Sequence, residues 1–147
     1  VRLQFAQLVY TVARNRCISK IDMTSKTDII AILDGLADAF NAHDIDKIMA
    51  YFDDDCVLDM PRGPKPHGSR YKGLDNVRRG LLTRFETTPD VHYGNVEHFV
   101  DGDTGISKWL LTGTALEGQR IQVRGCDFYT LRNGKIIRKD SYWKIVG

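Results

Sequence analysis

The stretch Gln119 to Trp143, QRIQVRGCDFYTLRNGKIIRKDSYW, limits what this chain can fold into more than any other. Asn133-Gly134 is a strong short hairpin signal, and the residues on either side alternate as strands do. On the first strand, Ile121, Val123, Gly125, Tyr129 and Leu131 share one face with Asp127. Arg120, Gln122, Arg124, Cys126, Phe128 and Thr130 share the other. The apolar face belongs inside. Asp127 therefore stands on a core-facing row. A carboxylate there needs a partner or a proton, because leaving it bare is costly. It is the clearest pointer to a site that the sequence contains.

The length of 147 residues suits one domain with a substantial core. Lysine and arginine exceed the acids by 21 − 19 = +2, too little to suggest nucleic-acid or membrane binding by charge. The three cysteines, Cys17, Cys56 and Cys126, form neither a disulfide framework nor a zinc pattern. No apolar run approaches the roughly 20 residues of a membrane span. The expectation is a cytoplasmic domain with no metal and no cofactor.

Residues 1–22 read as an N-terminal extension, either a basic amphipathic docking helix or sequence upstream of the natural start. The domain proper is expected over residues 23–147. Thr24 or Ser25 can cap a helix with Asp28 in its first turn, and Ile29, Leu33, Leu36 and Phe40 follow helical spacing. Asn41-Ala42-His43 breaks that helix. A second one, Ile45 to Phe52, ends at Asp53-Asp54-Asp55, a solvated acidic run. Cys56 to Met60 reads as a short strand, and the prolines and glycines between Pro61 and Gly68 as a loop. Gly73 precedes a third helix with Leu74, Val77, Leu81 and Phe85 as its apolar stripe. Arg78, Arg79 and Arg84 lie largely off that stripe, as a solvated face. Val91 to Val100 and Ile106 to Leu116 read as strands that lead into the hairpin. Helices first and a meander afterwards make the class α+β, with helices on one side of a curved antiparallel sheet.

This order, with DIDKIMAYFDDDCVLDMP at Asp44–Pro61, the helix start at Gly73 and GCDFYTLRNGKI running on to Tyr142-Trp143, resembles the SnoaL-like and ketosteroid isomerase-like proteins of the nuclear transport factor 2-like superfamily. The resemblance covers Thr24 to Lys144. It implies a cone-shaped α+β barrel, a pocket between the concave sheet and three helices, and a homodimer. The steroid isomerases use a tyrosine, an aspartate base and a protonated aspartate, the last a worked case of a carboxylic acid held neutral. Leu36 stands at the tyrosine's position and Met60 at the base's, with Asp59 one place off. Asp127 matches the second aspartate, and Trp143 an aromatic pocket wall. Standard ketosteroid isomerisation is therefore not expected.

Strand register supplies neighbours for Asp127. A two-residue loop at Glu117-Gly118 sets Lys108 opposite it. At the second hairpin, a two-residue Asn133-Gly134 loop pairs Asp127 with Asp140, whereas a loop with Gly134 in a bulge pairs it with Lys139. The bulged register turns Ile137, Ser141, Trp143 and Ile145 inward and is preferred on burial. The expected row is Lys108, Asp127, Lys139, with two cations keeping the acid ionised and favouring an anionic or enolate-like ligand. If the other register holds, two acids adjoin and share a proton. His92 is expected inward as a second catalytic candidate beside Asp127, and His43, His67 and His98 at loops or on the far face. Met60, Leu110, Thr112, Ser141 and Trp143 would line the pocket. The reading is a cofactor-independent isomerase, cyclase, hydratase or hydrolase acting on a small molecule. The alternatives are a ligand-binding domain without chemistry, and an interaction module using Arg120, Gln122, Arg124 and Phe128.

Overall fold

The computed structural model describes residues 24–147, so the expected extension lies outside the described residues. Helix α1 (Lys26–Asn41) opens with a capping box, in which the Ser25 hydroxyl accepts from the Asp28 N–H and Asp28 accepts from the Ser25 N–H. Its stripe of Ile29, Leu33, Leu36 and Phe40 is buried, each side chain contributing roughly 1.5–3 kcal/mol of transfer free energy. Helix α2 (Ile45–Met49) is a short turn capped by Asp44. It stops earlier than expected, because strand β1 (Phe52–Asp59) begins at Phe52 and runs through the acidic triplet. Phe52 packs into the core, while Asp53 accepts a bond from Arg132 at 3.1 Å.

A short strand β2 (Arg70–Lys72), not foreseen in the sequence, pairs antiparallel with β1. Helix α3 (Leu74–Thr87) then buries Val77 and Leu81. Strands β3 (His92–Asp101), β4 (Thr104–Thr114), β5 (Arg120–Arg132) and β6 (Lys135–Trp143) form the meander. The six-stranded sheet has the order β2-β1-β6-β5-β4-β3, and β1 joins β6 in parallel. The sheet is curved and unclosed. The three helices pack on its concave face around one core that includes Leu58, Tyr129, Leu131 and Ile136.

Three register details decide what faces that core. The β4–β5 connection leaves Thr114 opposite Arg120, so the loop spans five residues, 115–119, rather than two. Ser107, not Lys108, is therefore opposite Asp127. The Asn133-Gly134 loop does have two residues, both with positive φ (52° and 73°), and Arg132 pairs with Lys135. The bulge lies further along, at Ile137, between the pairs Leu131–Ile136 and Thr130–Arg138. As a result Ile136 is buried rather than Ile137, and Ser141 rather than Lys139 is opposite Asp127. Lys139 still points inward, two pairs away on the same face, opposite Tyr129. On β3, a bulge between Gly94 and Glu97 includes Asn95 at φ 50°. It turns Tyr93, Val96 and His98 inward.

On the convex face, Asp59 is wholly buried under two arginines. Arg70 bonds it through two nitrogens at 2.6 and 2.8 Å, and Arg138 through one at 2.7 Å. Burial alone pushes this carboxyl up, but the two guanidinium groups outweigh it and hold it below the ordinary aspartate value. The network ties β1 to β2 and β6. Asp59→Asn should destabilise the fold by about 1–3 kcal/mol in chemical denaturation at neutral pH, the range tempered because both arginines are partly solvated. The folded-state carboxyl titrates below its unfolded value. The contribution is therefore complete above the unfolded value and is lost as pH falls through the folded one. The stability gap between wild type and variant should narrow in acid; a gap that stays constant to low pH would contradict the assignment.

Candidate functional site

Asp127 is 4% exposed and lies between the concave sheet and the helices. Four side chains donate to it, Lys139 Nζ (2.5 Å) and Ser141 Oγ (2.6 Å) to Oδ1, and Trp109 Nε1 (2.9 Å) and Tyr129 Oη (3.2 Å) to Oδ2. A carboxylate offers about four acceptor sites, so these donors fill it. Lys139 also donates to Ser141 Oγ at 2.7 Å. These two bonds use two of the three N–H groups of the ammonium. Its Nζ lies 5.6 Å from the ring centroid of Tyr129 and 6.0 Å from that of Phe40. Lys139 is thus a desolvated cation with one donor to spare, while Asp127 is an anion with no vacancy.

Local sequence explains the placement. Trp109 pairs across strands with Gly125, and a Cβ there would stand 2.3 Å from the indole, so the glycine makes room for the ring. Tyr93 is clamped by Asn41 at the end of α1. The Asn41 side-chain amide donates to the Tyr93 carbonyl at 3.0 Å, and its oxygen accepts from the Tyr93 N–H at 2.8 Å. Tyr93 then meets Trp109 edge to face, at 5.3 Å between centroids. Burial pushes the Tyr93 hydroxyl well above the usual phenol range, and Arg84 nearby offsets this only in part. Burial, with Asp127 beside it, does the same to Tyr129. Both phenols are therefore neutral donors near pH 7.

Two small spaces adjoin the pair, each about 30 Å³, and Phe40, Tyr93, Trp109, Asp127 and Lys139 line both. Each has room for about one water or one small oxygen-bearing group. Beside the first lies a vestibule of about 190 Å³ that shares Met60, Pro61, Arg84 and Trp143 with it and adds Arg62, Thr83 and Thr87. Asp127 is the sole carboxylate on these walls, and no histidine is among them. Among the described residues, no group of three His, Cys, Asp or Glu side chains converges as a metal site.

The structure brings together Asp127, Lys139, Ser141, Met60 and Trp143 of the residues expected at the site. It does not bring in Lys108, Leu110, Thr112 or His92. The five-residue β4–β5 loop puts Lys108, Leu110 and Thr112 on the convex face, where Lys108 pairs with Glu97 at 2.9 Å. His92, opposite Thr112, is exposed there as well. His98, expected on the far face, is inward, and its Nδ1 lies 2.9 Å from Ser107 Oγ. Its Nε2 is 3.2 Å from Asp34 but out of hydrogen-bond alignment. Burial holds this imidazole below the ordinary histidine value against the pull of Asp34, so it is neutral at pH 7. Trp109 and Tyr93 join the site without being expected there, and Arg84, expected on a solvated face, lines the first space instead because it stacks on Trp143. The glycine opposite Trp109 was the one signal that could have found it.

No curated protein matches the chain significantly. Among solved structures, a Xanthomonas campestris pv. campestris protein provisionally described as a polyketide cyclase superposes with TM-score 0.72 at 19% identity, covering 80% of this chain and 91% of its own. A Bacillus subtilis protein provisionally described as an isomerase gives TM-score 0.69 at 16% identity, covering 80% and 87%. A nuclear transport factor 2-like protein of unknown function from Mesorhizobium loti gives 0.66 at 24% identity, covering 81% and 93%. At these identities the likeness is one of fold. The family model of the SnoaL-like domain matches residues 33–139, which spans the site from α1 to Lys139. The chain belongs to the SnoaL-like domain family, on the nuclear transport factor 2-like fold.

Proposed function

We propose that this domain binds a small molecule through an anionic or enolisable oxygen and places that oxygen on Lys139. What carries the reading is the asymmetry of the buried pair. Asp127 has all its acceptor positions filled, whereas Lys139 keeps an N–H in a space just large enough for one such group. A desolvated ammonium fixed by its counter-ion is preorganised to stabilise negative charge as it develops, the electrostatic part of enolisation, cyclisation, hydration or hydrolysis. Ser141 and Asp127 hold it in position, and Met60 and Trp143 form the wall toward the vestibule. The reaction in this reading is a cofactor-independent isomerisation, cyclisation, hydration or hydrolysis, the first two being classes named for structural neighbours. Asp127 is then the candidate proton acceptor, freed when a ligand draws off one of its donors.

The second reading, binding without turnover, has a specific observation in its favour. Asp127 is saturated, and no other carboxylate or histidine reaches these walls to act as a base. His92, opposite Thr112 on the convex face, takes no part in either reading.

The convex face supports a homodimer. Phe99, Ile106 and Phe128 are consecutive cross-strand partners, and Tyr142 packs edge to face on Phe128 at 5.7 Å. Phe99, Phe128 and Tyr142 are 51%, 41% and 54% exposed. A row of exposed aromatics on the convex sheet face suits a two-fold contact with a second copy. The apolar patch lies further along the strands than Arg120, Gln122 and Arg124, and of the expected surface only Phe128 belongs to it.

Two outcomes are expected. The double variant Asp127→Asn/Lys139→Met removes the pair together and so avoids a stranded buried charge. It should fold, and it should lose the thermal stabilisation that small enolisable or carboxylate compounds give the wild type. Equal stabilisation of both proteins would remove the pair from binding, and mass spectrometry of the bound compound separates turnover from simple binding. In sedimentation velocity the wild type should run as a dimer and Phe128→Lys as a monomer; a wild type that stays monomeric at high concentration would exclude the dimer.

A further inference from the structure

The mouth of this site is as one-sided as its floor. Arg84 lies over the Trp143 ring with its guanidinium carbon 4.6 Å from the centroid, and Arg62 lies over the same ring at 5.5 Å. Among the described residues, neither arginine has a carboxylate within ion-pair distance, although Arg70, Arg78, Arg132 and Arg138 each have one. The buried indole Nε1 of Trp143 has no hydrogen-bond acceptor among the described residues. Two cations therefore crowd one aromatic ring beside an unanswered N–H, at the entrance to a slot whose inner end is an ammonium. Cation–π contact supports each guanidinium individually but leaves their mutual repulsion in place.

The arginines are held there by local structure. Arg84 is on α3, and Arg62 is in the loop after β1. That loop is fastened by bonds from the Ser69 N–H to the Arg62 carbonyl (3.0 Å) and from the Met60 N–H to the Ser69 carbonyl (2.9 Å). Gly68, at φ 73°, has no room for a side chain, since a Cβ would stand 1.8 Å from the Met60 carbonyl oxygen. Arg62 is thus presented by a closed loop.

We propose that the vestibule formed by Arg62, Arg84 and Trp143 is the recognition site for a second acidic group of the ligand, and that the ligand class is a planar unsaturated carboxylate or enolate. The inference rests on the reading of Lys139 given above and extends it. A carboxylate in the vestibule bonds both guanidinium groups and relieves their repulsion. A flat body suits the four aromatic side chains, Trp143, Tyr93, Trp109 and Phe40, that line the space between the vestibule residues and Lys139. A second oxygen then reaches Lys139.

The test uses the full chain, with 2-naphthoate as the anionic probe and 2-naphthamide as its neutral isostere, by calorimetry. The double variant Arg62→Gln/Arg84→Gln should bind 2-naphthoate about ten-fold or more weakly, with 2-naphthamide changed by less than about two-fold. Circular dichroism and the melting temperature check that the variants fold. Naphthoate affinity unchanged in this variant, or no naphthoate binding by the wild type at millimolar concentration, overturns the proposal. The Asp127→Asn/Lys139→Met variant separates the two claims. If it binds naphthoate as the wild type does while the arginine variant does not, the vestibule stands and the Lys139 centre falls. The reverse pattern removes the vestibule and keeps the centre.

Discussion

A buried carboxylate with every acceptor position taken governs the interior of this protein. Asp127 accepts from residues on three neighbouring strands, Trp109 on β4, Tyr129 on β5, and Lys139 and Ser141 on β6. Those four contacts fix the relative position of the strands at the centre of the curved sheet. Each has a structural precondition: Gly125 leaves space for the Trp109 ring, and the bulge at Ile137 turns Lys139 and Ser141 inward after the tight Asn133-Gly134 turn. Without that extra residue, Asp140 would lie opposite Asp127, and two acids would meet in the core.

The hydrogen bonding at this centre is the reverse of what the sequence resemblance implies. The resemblance to steroid isomerases implies a neutral aspartate that donates to an oxyanion. Here the matching aspartate is surrounded by donors, and the group with hydrogen-bonding capacity left is the lysine. Leu36 is buried in the core and Met60 lines the first space, so neither adds a titratable group there. The limited room beside Lys139 admits a functional group rather than a whole molecule, which leaves recognition of the ligand's body to the mouth.

Much of the fold was legible in the sequence because its signals are local. The stripe of α1, the position of the hairpin at Asn133-Gly134 and the inward face of β5 follow from spacing within one element and match the structure, whereas the preferred loop, with Gly134 in the bulge, does not: the loop has two residues and the bulge is at Ile137. What was not legible lay between elements. A strand's side chains alternate with period two, so one misjudged loop residue exchanges its faces. Reading Glu117-Gly118 as a two-residue loop carried Lys108, Leu110 and Thr112 to the wrong side, and the β3 bulge at Asn95 sets His92 on the face opposite His98, with Tyr93 inward in its place. The assignment of Lys139 survived by compensation, because the bulge occurs at Ile137 rather than Gly134 and gives the inner half of the strand the same parity. Arg62 and Arg84 were not recoverable, since their meeting over Trp143 joins a loop, a helix and the last strand.

A crystal structure of the protein with a bound planar carboxylate examines the central claim most directly. The account predicts a ligand oxygen within hydrogen-bond distance of Lys139 Nζ, with the Lys139–Asp127 contact intact. A ligand seated solely on the convex aromatic face, with the slot beside Lys139 holding nothing but water, would contradict it.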